Sequence, residues 1–385
     1  MRILYIHNDY AKLSGEETAA EAIVELLKEH GHEVAWHRRS SAEIAGSAWG
    51  HIKSLFTGLV NPCEGNAVAK HIQEFKPDIV QVQNIYPLLS PSIFLAIRKC
   101  GVPIVMRCPN YRLFCPNGLC CDKQGHICEE CFDGHEWRCA FKNCTGSPLK
   151  SMGYALRGWA ARVTRSILDN VDVFIVQTEF QRKKFIAQGI PEEKIGIVPG
   201  IMQSMEPEVR WCPGKYVTYV GRVSEEKGIV EFLEVARRLP DIPFMVTGSY
   251  DDMQKICKSV LANVTWTGFL KGEKLRQAYL DSRIVVVPSR CYEGFPNVIV
   301  QAMQLERPVI TTDLGASGSI VEEGVTGEKF RPMDVDDLYS KIIKCYDNVE
   351  QCEYYGKAGR KKALENYSRD IIYETLIGLY KKLLP

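Results

Sequence analysis

Two turns in the second half of the chain hold residue types suited to a phosphate and a sugar. In YVGRVSEEKGIVEF (219–232) an apolar strand ends at Gly221, Arg222 follows at once, and Lys227 stands just before a helix. In SRCYEGFPNVIVQAMQLERPVI (289–310) a second strand runs into an acidic loop holding Glu293, and Pro296 reads as the first residue of the next helix. Helix N-termini present unpaired backbone N–H groups and a partial positive charge, which together attract phosphate. Arg222 and Lys227 add full charges at fixed offsets, and Glu293 adds a carboxylate that suits sugar hydroxyls. Cations for a diphosphate beside a carboxylate for a sugar point to a nucleotide-sugar site. The plain alternatives are a strand-ending turn at Gly221, solvated charges at Arg222 and Lys227, and an exposed loop acid at Glu293.

Parallel strands must position such turns. Short apolar runs recur through the first half: RILYIHN (2–8), HEVAWHR, DIVQVQN, VPIVMRC, DVFIVQT (172–178) and IGIVPG. They recur again as YVTYVGR, IPFMVTG, NVTWTG, RIVVVPS and RPVITT. Runs this apolar on both faces, separated by helical periodicity such as ETAAEAIVELLKEHG (17–31), predict buried parallel sheets. The stretch IMQSMEPEVRWCPGK (201–215) has two prolines and no period, and reads as a linker. A length of 385 residues fits two domains. Ligands in such sheets sit at the carboxyl ends of strands, where both turns fall.

VGRVSEEKG resembles the VGR…KG turn of retaining glycosyltransferases of family 4, and SRCYEGFP…QAM…PVI is similar to that family's E-x7-E segment. The likeness runs along nearly the whole chain: MRILYIHNDY, the SGEET turn, HGHEV, IVPGI, VTWTGFLKGEKL and YSRDIIYETLIGLYKKLL, in this order. It implies an α/β GT-B fold, two doubly wound Rossmann-like domains facing a cleft. The expected boundaries are 1–200 for the acceptor-side domain, 201–365 for the nucleotide-sugar domain, and 366–385 for a helix crossing back to the first. It implies that Glu293, Arg222 and Lys227 do the chemistry, the two cations neutralising the leaving diphosphate. It places Gly15, Gly221, Phe295, Asn297, Val298 and Gln301 on the donor, with the N–H groups of Asn297 and Val298 turned towards it. A UDP-sugar is the expected donor, with no catalytic metal. Asp334-Val335-Asp336 reads as a helix cap rather than a metal motif.

Four positions depart from the family pattern. Gln301 replaces the second acid of E-x7-E, Ser319 another usual Glu, Ser14 a usual Gly, and Pro109 a His that in relatives contacts the donor sugar, commonly its 6-hydroxyl. Proline has no donor to offer, so a 6-deoxy amino sugar becomes a candidate, against the alternative that another side chain takes the contact. Asn84, Asn110 and Tyr111 are the remaining polar candidates on the acceptor side. The implied acceptor is a glycan, on its own or on a polyprenyl diphosphate. A second reading keeps the fold as a catalytically weak scaffold or binding partner in a glycan assembly complex. An epimerase or phosphorylase of the same fold does not match the order of motifs.

Fifteen cysteines are many, and eight fall between Cys108 and Cys144. Cys115, Cys128, Cys131 and Cys139 are spaced C-x12-C-x2-C-x7-C within an insertion at about 108–146. C-x2-C is a sound zinc half-site, and four thiolates would make a closed, structural ion. Cys120, Cys121 and Cys144 are spare thiols that would substitute, and free or oxidised cysteines are the other reading. Between Trp137 and Leu168 stand six Lys or Arg and no acid, with Met152, Leu156, Trp159 and Val163 at helical spacing. That stretch reads either as a membrane-surface helix or as a core-facing helix with a solvated basic face, and WGHIKSLFTGLV (49–60) offers a second such surface. A net charge of +1 gives no whole-chain argument for nucleic acid. No apolar run approaches membrane-spanning length and Met1 leads straight into a strand, so the expected place is the cytoplasm or the inner membrane face.

Overall fold

The computed structural model describes residues 1–11, 15–44, 56–201, 211–249 and 261–384. Ser14, residues 49–55 of the second apolar surface and residues 202–210 of the expected linker lie outside that set. The chain divides into two compact units. Unit 1 comprises Met1–Lys123, Cys128–Ile201 and Arg369–Pro385, and unit 2 comprises Gln124–Ile127 and Met202–Ser368.

Unit 1 is built on six strands: β1 (Arg2–Asp9), β2 (Glu33–Ser40), β3 (Ile79–Val82), β4 (Ile104–Arg107), β5 (Val173–Val176) and β6 (Ile195–Ile197). They form one parallel sheet in the order β2-β1-β3-β4-β5-β6. Every residue of β3, β4 and β5 is buried. The sheet orders the ends of β1, β3 and β4 side by side, so Tyr10, Asn84 and Asn110 emerge close together. The helix Gly15–Glu29 follows β1, carries Glu16 and Glu17 in its first turn and terminates before Gly31 at φ 78°. Acids at a helix N-terminus and a left-handed glycine past its end are the expected end chemistry.

The last helix, Arg369–Lys381, is part of unit 1. Ile372, Leu376, Ile377 and Tyr380 are buried in the same cluster as Ile3, Tyr5 and Ile23. Tyr373 stacks on His30 with ring centroids 3.6 Å apart, and Arg369 pairs with Glu29 at 2.5 Å.

Unit 2 repeats the plan with β7 (Tyr216–Val220), β8 (Phe244–Thr247), β9 (Val264–Gly268), β10 (Ser282–Val287), β11 (Val309–Thr312) and β12 (Gly327–Phe330). Their order is β12-β11-β10-β7-β8-β9, again all parallel. β7 and β10 are neighbours, which brings the two turns singled out in the sequence to adjacent strand ends. The edge strand β12 was not expected from the sequence. Its sequence GEKF has no apolar run, and Glu328 is 1% exposed because Lys341, Lys344 and Tyr355 bind its carboxylate.

Candidate functional site

At the end of β7 the chain turns through Gly221, whose N–H donates to the Thr247 carbonyl at 2.9 Å. Gly221 has φ 150° and Gly248 φ 158°, and a Cβ on Gly248 would run into the Gly221 carbonyl. The two strand ends therefore touch through backbone, which only glycine permits. Lys227 ends a short 3-10 turn, and Gly228 at φ 75° opens the helix Ile229–Arg238. A Cβ on Gly228 would collide with the Pro288 carbonyl, so this turn is clamped to the end of β10.

On the β10 side, Thr311 and Thr312 of β11 donate hydroxyls to the carbonyls of Val287 and Ser289 at 3.0 and 2.9 Å. The loop they hold presents Glu293. Lys227 Nζ donates to Glu293 Oε1 at 2.7 Å, and Ser289 Oγ donates to the same oxygen at 2.5 Å. The Lys227 and Glu293 side chains are 27% and 15% exposed, so the pair is only partly wet. Burial pushes the Glu293 carboxyl up, but the Lys227 charge and the hydrogen bonds from Lys227 and Ser289 outweigh it and hold the group below the usual range. Burial lowers Lys227, and the Glu293 charge more than restores it. Each keeps the other ionised.

Below them lies a second ion pair. Arg290 Nη2 meets Glu231 Oε1 at 2.6 Å, with side chains only 10% and 4% exposed. This pair ties the loop after β10 to the helix after β7.

Two expectations for the helix after β10 need correction. Pro296 caps rather than starts the helix Asn297–Gln304, at φ −80° and ψ 82°. The Asn297 N–H is not free, because it donates to the Phe295 carbonyl at 3.0 Å. What Asn297 does offer is its side-chain oxygen, which is buried without a partner. Arg222 is bonded to Glu226. Gln301 accepts a hydrogen bond from Tyr279 at 2.9 Å, so its oxygen is held within unit 2. Phe295 packs edge-on against Tyr367 at 5.5 Å, and Val298 sits half-buried beside the apolar cluster around Ile299. Ser319 turns back to the Ala316 carbonyl at 2.8 Å. Asp334 caps the helix Val335–Tyr346 by accepting from the Asp337 N–H at 2.9 Å.

Unit 1 has its own polar cavity, lined by Glu16, Asn84, Arg107, Pro109, Asn110 and Arg112 among others. Sequence reading picked Asn84 and Asn110 but missed the charged residues. Tyr10 Oη donates to Glu16 Oε2 at 2.9 Å, Asn110 Nδ2 donates to it at 3.4 Å, and Arg112 Nη1 donates to Tyr10 Oη at 2.9 Å. Burial raises the Glu16 carboxyl above its usual range, against the pull of Arg112. Asn84 is spent internally, donating to the Asn8 carbonyl at 2.6 Å and accepting from Tyr86 N–H and Arg112. Tyr111 does not face the cavity. It is fully buried with its ring against Phe185, and it holds the strand end in place. Gly15 starts its helix with nothing within 4 Å of where a Cβ would sit, so packing does not demand glycine there.

The cysteines expected to hold zinc gather in one region, where Cys131 feels the charges of Cys115 and Cys128, and Cys139 those of Cys131 and Cys115. Among the described residues, the group with three ligand atoms all within 4.8 Å of one another is His7, Asp9 and Glu17. A tetrahedral thiolate site needs sulfur atoms about 3.8 Å apart. Cys115 bonds Cys120, which lowers its thiol to about 7, and Cys139 shares a hydrogen bond with Cys144. Burial pushes Cys131 up to about 12, and Cys128 lies 3.7 Å from Lys142 Nζ. Two of the four expected ligands thus lie against spare thiols. The chemistry of the set suits zinc.

Comparison with known proteins follows the same division. A family model described as Glycosyl transferase 4-like domain matches residues 14–200, and one described as Glycosyl transferases group 1 matches residues 214–348. The chain is similar to the Alpha-D-kanosaminyltransferase of Streptomyces kanamyceticus, 28% identical over 176 residues, 43% of this chain and 45% of that one. It is similar to the Sulfoquinovosyl transferase SQD2 of Arabidopsis thaliana, 32% identical over 170 residues, 42% of this chain and 33% of that one. These alignments span less than half the length of either relative. An uncharacterized 42.6 kDa protein in the cps region of Klebsiella pneumoniae aligns over 91% of this chain and 98% of its own, at 23% identity. Among solved structures, the sucrose-phosphate synthase of Thermosynechococcus elongatus superposes with a TM-score of 0.72 at 16% identity, covering 99% of this chain and 98% of that one. Anabaena HepE in complex with UDP and glucose gives 0.70 at 15% identity, covering 99% and 100%. The chain therefore carries a glycosyl transferase 4-like domain followed by a glycosyl transferases group 1 domain, and its two parallel sheets are those of the GT-B fold.

Proposed function

We propose that this chain is a retaining glycosyltransferase that moves a sugar from a UDP-sugar to a glycan or lipid-linked glycan in cell-surface polysaccharide synthesis. The observation that carries the reading is the Lys227–Glu293 pair, held at adjacent strand ends by Gly228 and Ser289. In the proposed reaction Lys227 exchanges the carboxylate for the departing diphosphate, and Arg222 leaves Glu226 to do the same. Glu293, released from Lys227, is then free to take a sugar hydroxyl or to face positive charge at the anomeric carbon. The Lys227 and Arg222 cations are proposed to do here what a bound divalent ion does elsewhere, so the donor step is proposed to be metal-independent. Relatives named as a capsular polysaccharide biosynthesis glycosyltransferase and an alpha-galactosylglucosyldiacylglycerol synthase support a glycan or glycolipid acceptor.

A thermal-shift panel of nucleoside diphosphates and their sugars tests the donor. A ligand at about a hundred times its dissociation constant stabilises the folded chain by roughly 2.7 kcal/mol. UDP and one UDP-sugar are expected to raise the melting temperature, and a 6-deoxy sugar more than its 6-hydroxy counterpart, because Pro109 has no hydrogen to donate. Equal shifts for the two sugars would remove the Pro109 argument. No shift with any donor would move the reading to a scaffold in a glycan assembly complex.

An exposed apolar face of unit 1 supports peripheral contact with an anionic membrane. Phe141 and Leu149 are 82% and 81% exposed, and Met152, Trp159 and Val163 also face solvent, so this stripe is not a core-facing one. Trp137 and Trp159 lie together with ring centroids 6.2 Å apart. The basic side is smaller than the sequence implied: Arg157 is buried between Tyr86 and Tyr154, and Arg162 is bound to Glu136. Among the described residues no helix is long and apolar enough to cross a membrane. Flotation with phosphatidylglycerol vesicles is expected to carry the protein up, and Leu149→Glu to abolish it. Equal behaviour with neutral vesicles, or no effect of the substitution, would reject this contact.

A further inference from the structure

Unit 1 gathers two arginines, Arg107 and Arg112, around one carboxylate, and a third, Arg157, is buried between two tyrosines nearby. Arg107, at the end of β4, is 1% exposed. Its Nη2 donates to the Pro199 carbonyl at 3.1 Å, while Nε and Nη1 are buried with no partner. Arg112 uses Nη1 on Tyr10 and Asn84, and its Nε is likewise buried and unpartnered. Arg157 is 8% exposed, with its guanidinium 4.5 Å from the Tyr86 ring and 4.2 Å from the Tyr154 ring. Aromatic faces attract a cation but do not neutralise it. Glu16 is the carboxylate that acts on Arg107 and Arg112. Buried charges are ordinarily matched by opposite charges, and buried N–H groups by acceptors. Here Arg107 and Arg112 face one anion, and three of their nitrogens lack an acceptor.

Arg107, Arg112, Glu16 and Asn110 all line the unit 1 cavity, whose volume is about 40 Å³. At about 10–15 Å³ for each water it is large enough for one oxyanion group. We propose that this cavity binds an anionic group of the acceptor, a phosphate or a carboxylate, through Arg107 and Arg112. That the anion belongs to an acceptor rests on the function proposed above; the anion site itself rests on the geometry of unit 1. Glu16 holds the Tyr10 hydroxyl and an Asn110 N–H that the entering anion would otherwise use. It also repels that anion, so it sets how tightly the anion is held.

The test uses the full chain carrying Arg222→Ala and Lys227→Ala, which removes the other anion cradle. Inorganic phosphate, pyrophosphate and glucuronate are titrated by calorimetry. One saturable site is expected, weakened at least about tenfold by Arg107→Met or by Arg112→Gln. Glu16→Gln is expected to act in the opposite direction and tighten binding about tenfold, a gain that a misfolded variant cannot show. Preference for phosphate or pyrophosphate identifies a phosphorylated acceptor, and preference for glucuronate a uronic acid. The proposal is overturned if no anion binds the folded protein, or if affinity ignores Arg107, Arg112 and Glu16. Anion binding without any UDP binding by the unsubstituted chain would sink the transferase reading and leave the pocket. UDP binding without anion binding would do the reverse.

Discussion

Replacing Lys227 with alanine is expected to lower kcat/KM about 10²–10³-fold, the usual cost of removing one charge-stabilising donor from a reacting centre. The melting temperature should fall by no more than about 1–2 °C, equivalent to about 1 kcal/mol for a chain of this size, because the lost pair is partly wet. The substitution has a second signature in pH. Glu293 is held below the usual carboxylate range in the folded chain, so the pair's stabilisation is present above the unfolded pKa of about 4.3 and is lost as pH falls through the folded value. Without Lys227 the carboxyl keeps its burial and loses its main partner, so its pKa rises. The acid limb of the activity profile is therefore expected to move towards neutral pH. A variant that keeps full activity would leave Lys227 a structural counter-ion and favour the scaffold reading. A variant that loses activity without moving the acid limb would detach Glu293 from the chemistry.

Gly228→Ala is expected to cost about 2–5 kcal/mol of folding stability. A left-handed backbone costs a residue with a Cβ about 1–2 kcal/mol, and forcing an extra methyl into a packed place about 1–3 more. The colliding atom is the Pro288 carbonyl, which belongs to backbone and cannot rotate away as a side chain does. Relief requires the turn after β7 to draw back from the end of β10, and the Lys227–Glu293 pair spans those two places. Denaturant unfolding measures the loss, and UDP affinity should weaken in the same variant. A loss below about 1 kcal/mol would show that the two strand ends separate easily. Gly15 is the built-in contrast: with nothing near its Cβ position, alanine there should leave stability within about 0.5 kcal/mol.

The sheets were legible because their strands are apolar on both faces. Eleven short runs in the sequence correspond to β1 through β11. β12 escaped because its buried residues include Glu328, made tolerable by Lys341, Lys344 and Tyr355 from segments that follow it. The site was legible in part. Gly221, Lys227 and Glu293 stand in short turns whose spacing survives folding, and adjacent strands bring them together. The partners of Arg222 and Gln301 were not legible, since Glu226 and Tyr279 are ordinary residues until the backbone aims them. The unit 1 cavity was missed for the same reason. Glu16 and Arg112 are far apart in sequence, and each alone reads as a surface charge. One signal was available: Arg107 ends a four-residue strand, IVMR, in which every residue is buried. A charge at the end of such a strand is costly unless something answers it.

The return of the helix Arg369–Lys381 to unit 1 has a consequence for how the chain is made. Residues 1–201 leave the ribosome without the segment that covers Ile3, Tyr5 and Ile23. The bulk of unit 2, Met202–Ser368, must be translated in between. At about 5–20 residues per second this interval lasts roughly 10–30 s. Throughout it the unit begun first stays unfinished, and unit 2 has all its residues before unit 1 does. The part of the nascent chain most in need of a chaperone is thus its beginning, waiting for its end.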